Sequence, residues 1–272
     1  MFGISRQSVY QQESRDSKRI EELEKVKTMV QTIRMEMPRI GTRKLYYLLK
    51  SSFEREELKI GRDGLFKFLR TENMLIKPKK NYTKTTNSKH WLKKHPNLFA
   101  TMELTRPEQA FVSDITYLKS REKTHYLSLV TDAYSRKIMG YKLSDNMNAE
   151  NVVQALGMAL KERTSSKKLI HHSDRGLQYA SEIYQNKLKA GSVLPSMTDG
   201  YDCYQNALAE RINGILKQEF LFHKCNNKND LDKLVKESIK IYNEKRPHLS
   251  LGMKTPNFVH KQRSRNNPAS LE

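Results

Sequence analysis

Apolar residues in the N-terminal part of the chain recur at the spacing of an α-helix. Within residues 16–37, apolar side chains lie three or four positions apart, at Ile20, Leu23, Val26, Val30 and Ile33. The same spacing returns over residues 43–50 and 62–73, and Pro38 ends the first run. Three short basic helices with tight turns favour a helix-turn-helix-like DNA-binding unit over residues 1–76. A plain helical appendage also fits this pattern.

The hydrophobic pattern stops over residues 77–104, which predicts a linker. The first 20 residues of this segment contain seven lysines and no acidic residue. Lysines interleaved with Tyr82 and Trp91 also suit a segment that follows a phosphate backbone, because ammonium groups neutralise phosphates while bases stack on aromatic rings. We therefore expect this basic linker to contact DNA, with Lys79 and Lys80 among the contacts.

Beyond residue 104 the pattern changes to short segments rich in β-branched and aromatic residues, which is typical of strands. The predicted strands are 110–118, 125–131, 136–143, 168–172 and 192–197. The predicted helices are 149–163, 180–190, 206–221 and 229–244. This order predicts an α/β core over residues 105–222, with three antiparallel strands and a fourth strand parallel to the first. Residues 223–272 are expected to form the last helix and an irregular basic tail.

The charge balance indicates a polyanionic partner. The 272 residues include 50 Lys and Arg against 30 Asp and Glu, a formal net charge of +20, and DNA or RNA is the commonest partner of so basic a chain. No apolar run reaches the roughly 18 residues that a membrane-spanning helix needs, and no signal peptide is recognisable. Cys203 and Cys225 lack a CxxC partner, so we expect buried thiols in a reducing cytoplasm.

Two aspartates interrupt the predicted sheet. Asp114 lies in the first strand, on the same face as Val112 and Thr116, and Asp174 directly follows the fourth strand. If these strands are parallel neighbours, both carboxylates reach the same edge of the sheet. A half-buried carboxylate costs free energy unless it is paired or binds a cation. Each acid alone also fits a turn, but their joint placement favours a shared site.

The helix predicted over residues 206–221 supplies a third acid. Its polar face holds Asn206, Glu210, Asn213 and Lys217, and its opposite apolar face holds Leu208, Ile212 and Ile215. Three carboxylates without a His or Cys cluster favour Mg²⁺ or Mn²⁺. Two such ions about 3.5–4 Å apart suit phosphodiester chemistry, and on a basic protein they let a phosphate approach the acids.

Six strings of this sequence resemble one known family, the bacterial insertion-sequence transposases of family three, whose enzyme is read from two overlapping frames. The strings are "SDITYL", "HYLSLVTDAYSRKIMGY", "HHSDRGLQYAS", "NALAERINGILKQE", "RIGTRKLYYLL" and "YNEKRPHLSLGMKTP". The family pattern is Asp, Asp and then Glu, with 35 residues between the last two. Here 210 − 174 = 36, so 35 residues intervene, and Lys217 stands seven positions past Glu210. The resemblance covers about residues 38–260.

The resemblance implies a ribonuclease H-like fold, a mixed five-stranded sheet with flanking helices, preceded by a small helical unit. It implies that Asp114, Asp174 and Glu210 are catalytic and hold two Mg²⁺ or Mn²⁺ ions. The reaction would be cleavage at the terminal inverted repeats of the element, followed by attack of the freed 3′-hydroxyl on target DNA. The chain would then be a second-frame product that works as a homo-oligomer on DNA, with the first-frame product as partner or fusion, in the bacterial nucleoid.

The resemblance also suggests DNA contacts. Lys217 would contact the terminal DNA. Weaker expected contacts are Asn206, Gln178 and Tyr179 near the acids, and Arg43 and Lys44 in the helical unit. The chain departs from the family at Gln205, where Asp is usual. Because Gln is a poor N-cap, the sequence does not fix the residue at which the following helix begins.

Several other residues fit two roles. Asp132 fits a metal ligand or a turn before Ser135, and His172 fits an orienting role behind the acids. Arg246 and His248 could meet DNA or close the fold. Two other functions also fit the chain, a catalytically silent DNA-binding regulator and a structure-specific nuclease with the same fold. The sequence does not favour a tyrosine recombinase, because no Arg-His-Arg-Tyr cluster is evident.

Overall fold

The structure, a computed structural model, describes residues 6–77, 93–199 and 206–265. The chain divides into two compact units, Met1–Pro78 and Lys79–Glu272. Several residues singled out by the sequence lie outside the described residues, namely Lys79, Lys80, Tyr82, Trp91, Cys203 and Gln205.

The first unit is helical. Its helices are α1 (Arg6–Glu36), α2 (Thr42–Arg55) and α3 (Arg62–Thr71). Their buried apolar side chains form the core of this unit, at Val26, Val30, Leu45, Leu49, Phe53, Leu65 and Leu69. Helix α1 begins ten residues before the predicted start, because no Gly or Pro interrupts the polar residues 6–15. Those residues are exposed, so no apolar periodicity marks them.

The second unit is built on a five-stranded mixed sheet. Its strands are β1 (Ala110–Lys119), β2 (Thr124–Asp132), β3 (Ile138–Ser144), β4 (Leu169–Ser173) and β5 (Val193–Met197). The spatial order is β3-β2-β1-β4-β5. Strands β1, β2 and β3 form an antiparallel meander, and β4 runs parallel to both β1 and β5. The predicted strands are confirmed within two residues at each end, and so is the parallel pairing of β4 with β1.

Helices cover both faces of the sheet. Helices α4 (Ala149–Lys161), α5 (Leu177–Ala180) and α6 (Glu182–Ala190) enclose the larger apolar layer on one face. That layer includes Phe111, Val130, Met139, Val152, Leu156, Leu169, Tyr184 and Val193. Helix α7 (Ala207–Ile215) packs against β1 and β2, over a smaller layer that includes Ala110, Val112, Ala133, Ile170 and Ala209. Alternate residues of β1 therefore face two different surroundings.

Helix α4 approaches β3 most closely at Gly140. A Cβ atom at this position would lie 2.1 Å from the Ala155 carbonyl oxygen and 2.7 Å from the Ala159 backbone nitrogen. Both neighbours belong to the helix backbone, so neither can move without displacing the whole helix. Only glycine permits this packing distance.

The chain after α7 is more regular than the sequence predicts. A π-helical turn (Leu216–Phe220) extends α7, and α8 (Lys228–Glu244) follows. The expected irregular tail is found over residues 246–255, apart from a short 3₁₀ turn (Leu249–Leu251), but the expectation was wrong beyond it, where the chain forms α9 (Pro256–Arg265). Proline is well suited to the first position of a helix, where no backbone donor is needed. Helix α9 packs on α8.

Helix α8 closes one end of the sheet. The Asn243 side chain accepts a hydrogen bond from the Ile138 backbone N–H (2.9 Å) and donates one to the Ile138 carbonyl (3.0 Å). Ile138 begins β3, an edge strand of the sheet. A side-chain amide thus occupies the position that a further strand would take.

Candidate active site

Strand β1 directs Asp114 towards α7. The Asp114 Oδ2 atom accepts a hydrogen bond from Asn213 Nδ2 at 2.7 Å, and its Oδ1 atom accepts one from the Ile115 backbone N–H at 2.9 Å. The carboxylate lies on the same face as Val112, which is buried. Sheet register and a helix amide together fix the direction of the carboxylate.

Asp174 reaches the same region from the next strand. Strand β4 pairs with β1 in parallel, with Val112 opposite His172, and Asp174 follows the end of β4. The Asp174 Oδ1 atom accepts a hydrogen bond from the Gly176 backbone N–H at 3.0 Å, which forms the turn into α5. A Cβ atom at position 176 would lie 3.0 Å from this same oxygen. Glycine lets the turn close on the carboxylate.

The charges of the acids act on each other. Burial and the charge of Asp174 raise the pKa of Asp114 to about 7. Burial and the charge of Asp174 also raise the pKa of Glu210, which lies on the exposed side of α7. Within residues 6–77, 93–199 and 206–265, no group of three His, Cys, Asp or Glu side chains is arranged to hold a metal ion. We call Asp114, Asp174 and Glu210 the acidic triad; its members repel one another without forming a closed cage.

The polar face of α7 packs on the sheet. The Asn206 side chain donates to the Ser113 carbonyl (3.1 Å), and the Lys217 ammonium donates to Thr116 Oγ1 (3.2 Å). Burial lowers the pKa of Lys217, and the Asp114 carboxylate opposes that effect. The expected separation of polar and apolar faces was wrong in part, because Asn213 and Ile212 are both buried. Polar groups can face the sheet here because β1 accepts the hydrogen bonds that Asn206, Asn213 and Lys217 donate.

A polar network lies beneath the acids, on the other side of β1. The His171 Nε2 atom lies 2.7 Å from Ser113 Oγ and 2.8 Å from Tyr184 Oη. Complete burial lowers the pKa of His171 to about 3, so the ring is neutral. The nearby Tyr179 is 2% exposed, and among the described residues its hydroxyl finds no hydrogen-bond partner. Burial raises the pKa of Tyr179, and the Tyr184, Asp114 and Asp174 charges add to this.

The expected DNA contacts have different surroundings. Gln178 is partly exposed at the start of α5, whereas the Tyr179 and Asn206 side chains are buried. Arg43 is exposed and Lys44 partly exposed on α2, in the other unit. Tyr179 and Asn206 therefore sit within the packing around the acidic triad.

A second set of buried acids lies at the start of β1, and sequence reasoning missed most of it. Asp132 Oδ1 accepts from the Ser135 backbone N–H and hydroxyl, and Oδ2 accepts from the Glu108 N–H, all at 2.6 Å. Asp132 therefore takes the turn role. The Glu108 carboxylate accepts from the Thr164 and Ser165 N–H groups and lies 3.4 Å from His260 Nε2.

We call Glu108, Asp132, Ser135 and His260 the His260 network. Burial alone would raise the pKa of Glu108, but hydrogen bonds from His260, Thr164 and Ser165 outweigh it and lower that pKa to about 2. Burial would lower the pKa of His260, but hydrogen bonding to Asp132 and Glu108 raises it. Glu108 also has a left-handed backbone (φ +57°), which costs about 1–3 kcal/mol for a non-glycine residue. No local sequence signal marks this network, because its residues lie far apart in the chain.

Arg246, for which the sequence left two roles open, lies inside the fold. Its guanidinium is 2% exposed and bonds both carboxylate oxygens of Glu219, at 2.7 and 2.6 Å. Glu219 belongs to the π-helical turn that follows α7. His248 is buried as well, with its ring edge-on to the Tyr242 ring.

Comparisons with known proteins agree with this fold. Two family models, both described as Integrase core domain, match residues 105–203 and 192–256. The "Insertion element IS600 uncharacterized 31 kDa protein" of Shigella sonnei is 35% identical over 262 residues, which is 94% of each chain.

Two transposases match over a shorter length. The "Transposase for insertion sequence element IS629" of Shigella sonnei is 34% identical over 152 residues, covering 56% of this chain and 51% of that protein. The "Transposase InsF for insertion sequence IS3A" of Escherichia coli (strain K12) is 35% identical over 152 residues, covering 56% and 53%. These alignments span about half the length of each transposase.

A solved structure shares the fold. A chain of the simian T-cell lymphotropic virus intasome, solved by cryoEM with the PP2A regulatory subunit B56 gamma, superposes with a TM-score of 0.53. The match is 17% identical and covers 86% of this chain and 75% of that chain. The fold is ribonuclease H-like, as the sequence resemblance implied. Among the described helices, none is long and apolar enough to cross a bilayer.

Proposed function

Since the chain belongs to the integrase-core transposases of the IS3 family of insertion sequences, we propose that it cleaves DNA at the ends of its element and joins the freed 3′-hydroxyl to target DNA. The ends would be the terminal inverted repeats. This is phosphoryl transfer between nucleic-acid strands, and it needs groups that stabilise charge on both the attacking and the leaving oxygen.

The acidic triad carries this proposal. One observation supports it most directly, the placement of Asp114 and Asp174 at one sheet edge, where burial and the charge of Asp174 raise the pKa of Asp114 to about 7. A protein that keeps two repelling carboxylates at one sheet edge loses stability unless a cation neutralises them. Carboxylate oxygens are the donors that suit Mg²⁺ or Mn²⁺. Asp114, Asp174 and Glu210 would hold two such ions, which when bound supply Lewis-acid stabilisation of the phosphate oxygens.

The residues around the triad hold it in position. Asn213 orients the Asp114 carboxylate by its 2.7 Å hydrogen bond, and Asn206 ties the start of α7 to β1. Lys217 is partly exposed and donates to Thr116, and its positive charge beside the triad supports the proposed contact with terminal DNA. The buried Tyr179 hydroxyl supplies a further polar group beside the two aspartates.

DNA binding would draw on basic residues of both units. The net charge of +20 favours binding through phosphates, which is salt-dependent. We propose Lys217 and Gln178 as contacts near the triad, Arg43 and Lys44 on α2, and Lys79 and Lys80 in the basic linker predicted from the sequence. In this proposal the chain acts as a homo-oligomer on nucleoid DNA in the bacterial cytoplasm, with the first-frame product as fusion or partner.

A cleavage and joining assay tests the function. Labelled DNA carrying the element ends would be incubated with the chain, and with its fusion to the first frame, in Mg²⁺ or in EDTA. We expect Mg²⁺-dependent joined product that is lost in Asp174→Asn. Cleavage without joining would instead identify a nuclease. DNA binding with neither reaction, for both proteins, would leave a DNA-binding regulator.

A further inference from the structure

Helix α7 changes its hydrogen-bonding pattern where the acidic triad region ends. The π-helical turn extends α7 directly, and the Leu221 backbone N–H bonds the Leu216 carbonyl, five residues earlier, at 2.8 Å. Turns of this kind are rare and occur often at functional sites. Lys217 and Glu219 both lie in this turn. The turn therefore determines how the polar face of α7 continues along β1.

The turn is held from outside by Arg246. Its guanidinium forms two hydrogen bonds to the Glu219 carboxylate, and the Glu219 side chain is 16% exposed. Two parallel bonds between planar groups fix orientation as well as distance. Lysine could not reproduce this geometry.

Arg246 follows the end of α8, and that end is fixed to the sheet by hydrogen bonds. Tyr242, whose ring centre lies 5.8 Å from the Arg246 guanidinium, donates a hydrogen bond to the Arg136 carbonyl at 3.0 Å. Asn243 bonds both backbone groups of Ile138. The end of α8 is thus fixed to the sheet, and Arg246 extends from that fixed point to the π-helical turn.

We propose that Arg246 is a positioning residue for the reaction, because it fixes the rotation of α7 and so the places of Glu210, Asn213 and Lys217 relative to Asp114. This inference rests on the proposed function. Arg246 does not contact DNA: its side chain is 2% exposed, its Nε and Nη2 donate to Glu219, and its Nη1 donates to the Pro247 carbonyl at 3.4 Å, which leaves no donor for a phosphate. Helix α7 bonds β1 through Asn206, Asn213 and Lys217, so a small rotation would displace all three contacts.

The test compares Arg246→Lys and Glu219→Gln with the unmodified chain in the joining assay. We expect kcat to fall by about tenfold to a hundredfold, as for small misplacements of catalytic groups, with KM for DNA unchanged and the Mg²⁺ concentration for half-maximal rate raised. The double variant is expected to be no worse than either single one, since both remove the same interaction. Lys240→Arg, an exposed change on α8, is the matched control and should alter none of these.

Hydrogen exchange gives a readout that does not need activity. In both variants the amides of residues 207–220 should exchange faster, while those of β1 stay protected. Unchanged exchange there, unchanged kcat in the folded variants, or a rise in KM alone would overturn the inference. If Arg246→Lys does not fold, Glu219→Gln decides. If the unmodified chain joins no DNA, the proposed function fails, and the exchange result still decides whether Arg246 holds α7.

Discussion

Two sets of carboxylates, the acidic triad and the His260 network, lie in the same domain and have opposite electrostatic character. In the His260 network, hydrogen bonds lower the pKa of Glu108 to about 2. In the acidic triad, burial and repulsion raise the pKa of Asp114 to about 7. Both Glu108 and Asp114 pay the desolvation cost of burial. The difference comes from their neighbours.

The number and type of donors explain that difference. Asp132 accepts three hydrogen bonds and Glu108 accepts several, with His260 between them. Asp114 accepts two hydrogen bonds and is repelled by the Asp174 carboxylate. An acid that the protein satisfies serves stability. An acid that the protein leaves repelled is ready for a cation, so the surroundings of an acid separate the two roles better than its burial does.

The largest effect is expected from Asp114→Asn. The amide keeps the shape of the side chain but removes the negative charge that a metal ion would need. The joining rate should therefore fall by about 10³-fold or more, which corresponds to several kcal/mol of lost transition-state stabilisation. Stability in EDTA should stay equal or rise, because the repulsion with Asp174 disappears. The measurements are the joining rate and urea unfolding. Normal joining in this variant would remove Asp114 from the triad.

Glu108→Gln should have the opposite effect: it should lower stability and leave activity unchanged. Its amide group would meet the Thr164 and Ser165 donors, so the free energy of unfolding should fall by about 3 kcal/mol, while the joining rate per folded molecule stays unchanged. Urea unfolding measures the loss. Glu162→Gln, an exposed change at the end of α4, is the control and should stay within about 0.5 kcal/mol. Equal stability of the two variants would contradict the structural role of Glu108.

The pH dependence of stability in EDTA should separate the two sets. Asp114 has a folded pKa of about 7 against an ordinary 3.8, so the native state holds an extra proton between these values and stability falls as pH rises from about 4 to 7. Glu108 has a folded pKa of about 2 against 4.5, so its contribution is present above 4.5 and is lost as pH falls towards 2.

Asp114→Asn should abolish the first slope, a change on the order of 2 kcal/mol once relaxation of a buried site is allowed for. Glu108→Gln should abolish the second. Urea unfolding across this pH range measures both. His260, whose pKa is raised, adds stability below pH 6.5 that is lost above it. Its contribution is the same in Asp114→Asn and in the unmodified chain, so it cancels when the two curves are compared. Parallel curves for Asp114→Asn and the unmodified chain would refute the raised pKa of Asp114.

The smallest effect is expected in the free energy of unfolding of two variants, each with a Tyr→Phe change beneath the acids. Tyr184→Phe removes a hydroxyl that bonds His171 and should cost about 1 kcal/mol. Tyr179→Phe removes a hydroxyl for which no partner is found among the described residues, so stability should change by less than about 0.5 kcal/mol. Urea unfolding of the pair decides. A larger loss in Tyr179→Phe would show that its hydroxyl is satisfied in the folded protein.

The sequence predicts the sheet well because its signals are local. Each strand carries its own β-branched and aromatic residues, and the parallel placement of β4 beside β1 brings Asp114 and Asp174 to one edge. The extended start of α1 and the whole of α9 were not predicted. Both are polar or basic segments whose helical structure leaves no apolar periodicity to recognise.

Local sequence patterns do not predict contacts between residues that lie far apart in the chain. Glu108, Asp132 and His260 meet only in the folded chain, and Glu219 differs in no local way from a solvated acid. The role of Arg246 therefore stayed open until its partner was known. Likewise, the π-helical turn packs against α8, a contact that no helical periodicity encodes.

The amide of Asn243 has a consequence for how copies of this chain behave when concentrated. An unpaired strand edge is a template on which another chain can add, and sheets of different molecules join in this way. At Ile138 both backbone groups are already engaged by Asn243. The side chain thus occupies one attachment point for intermolecular sheet growth, so a strand of another copy cannot pair with β3 at Ile138 while Asn243 is bound there.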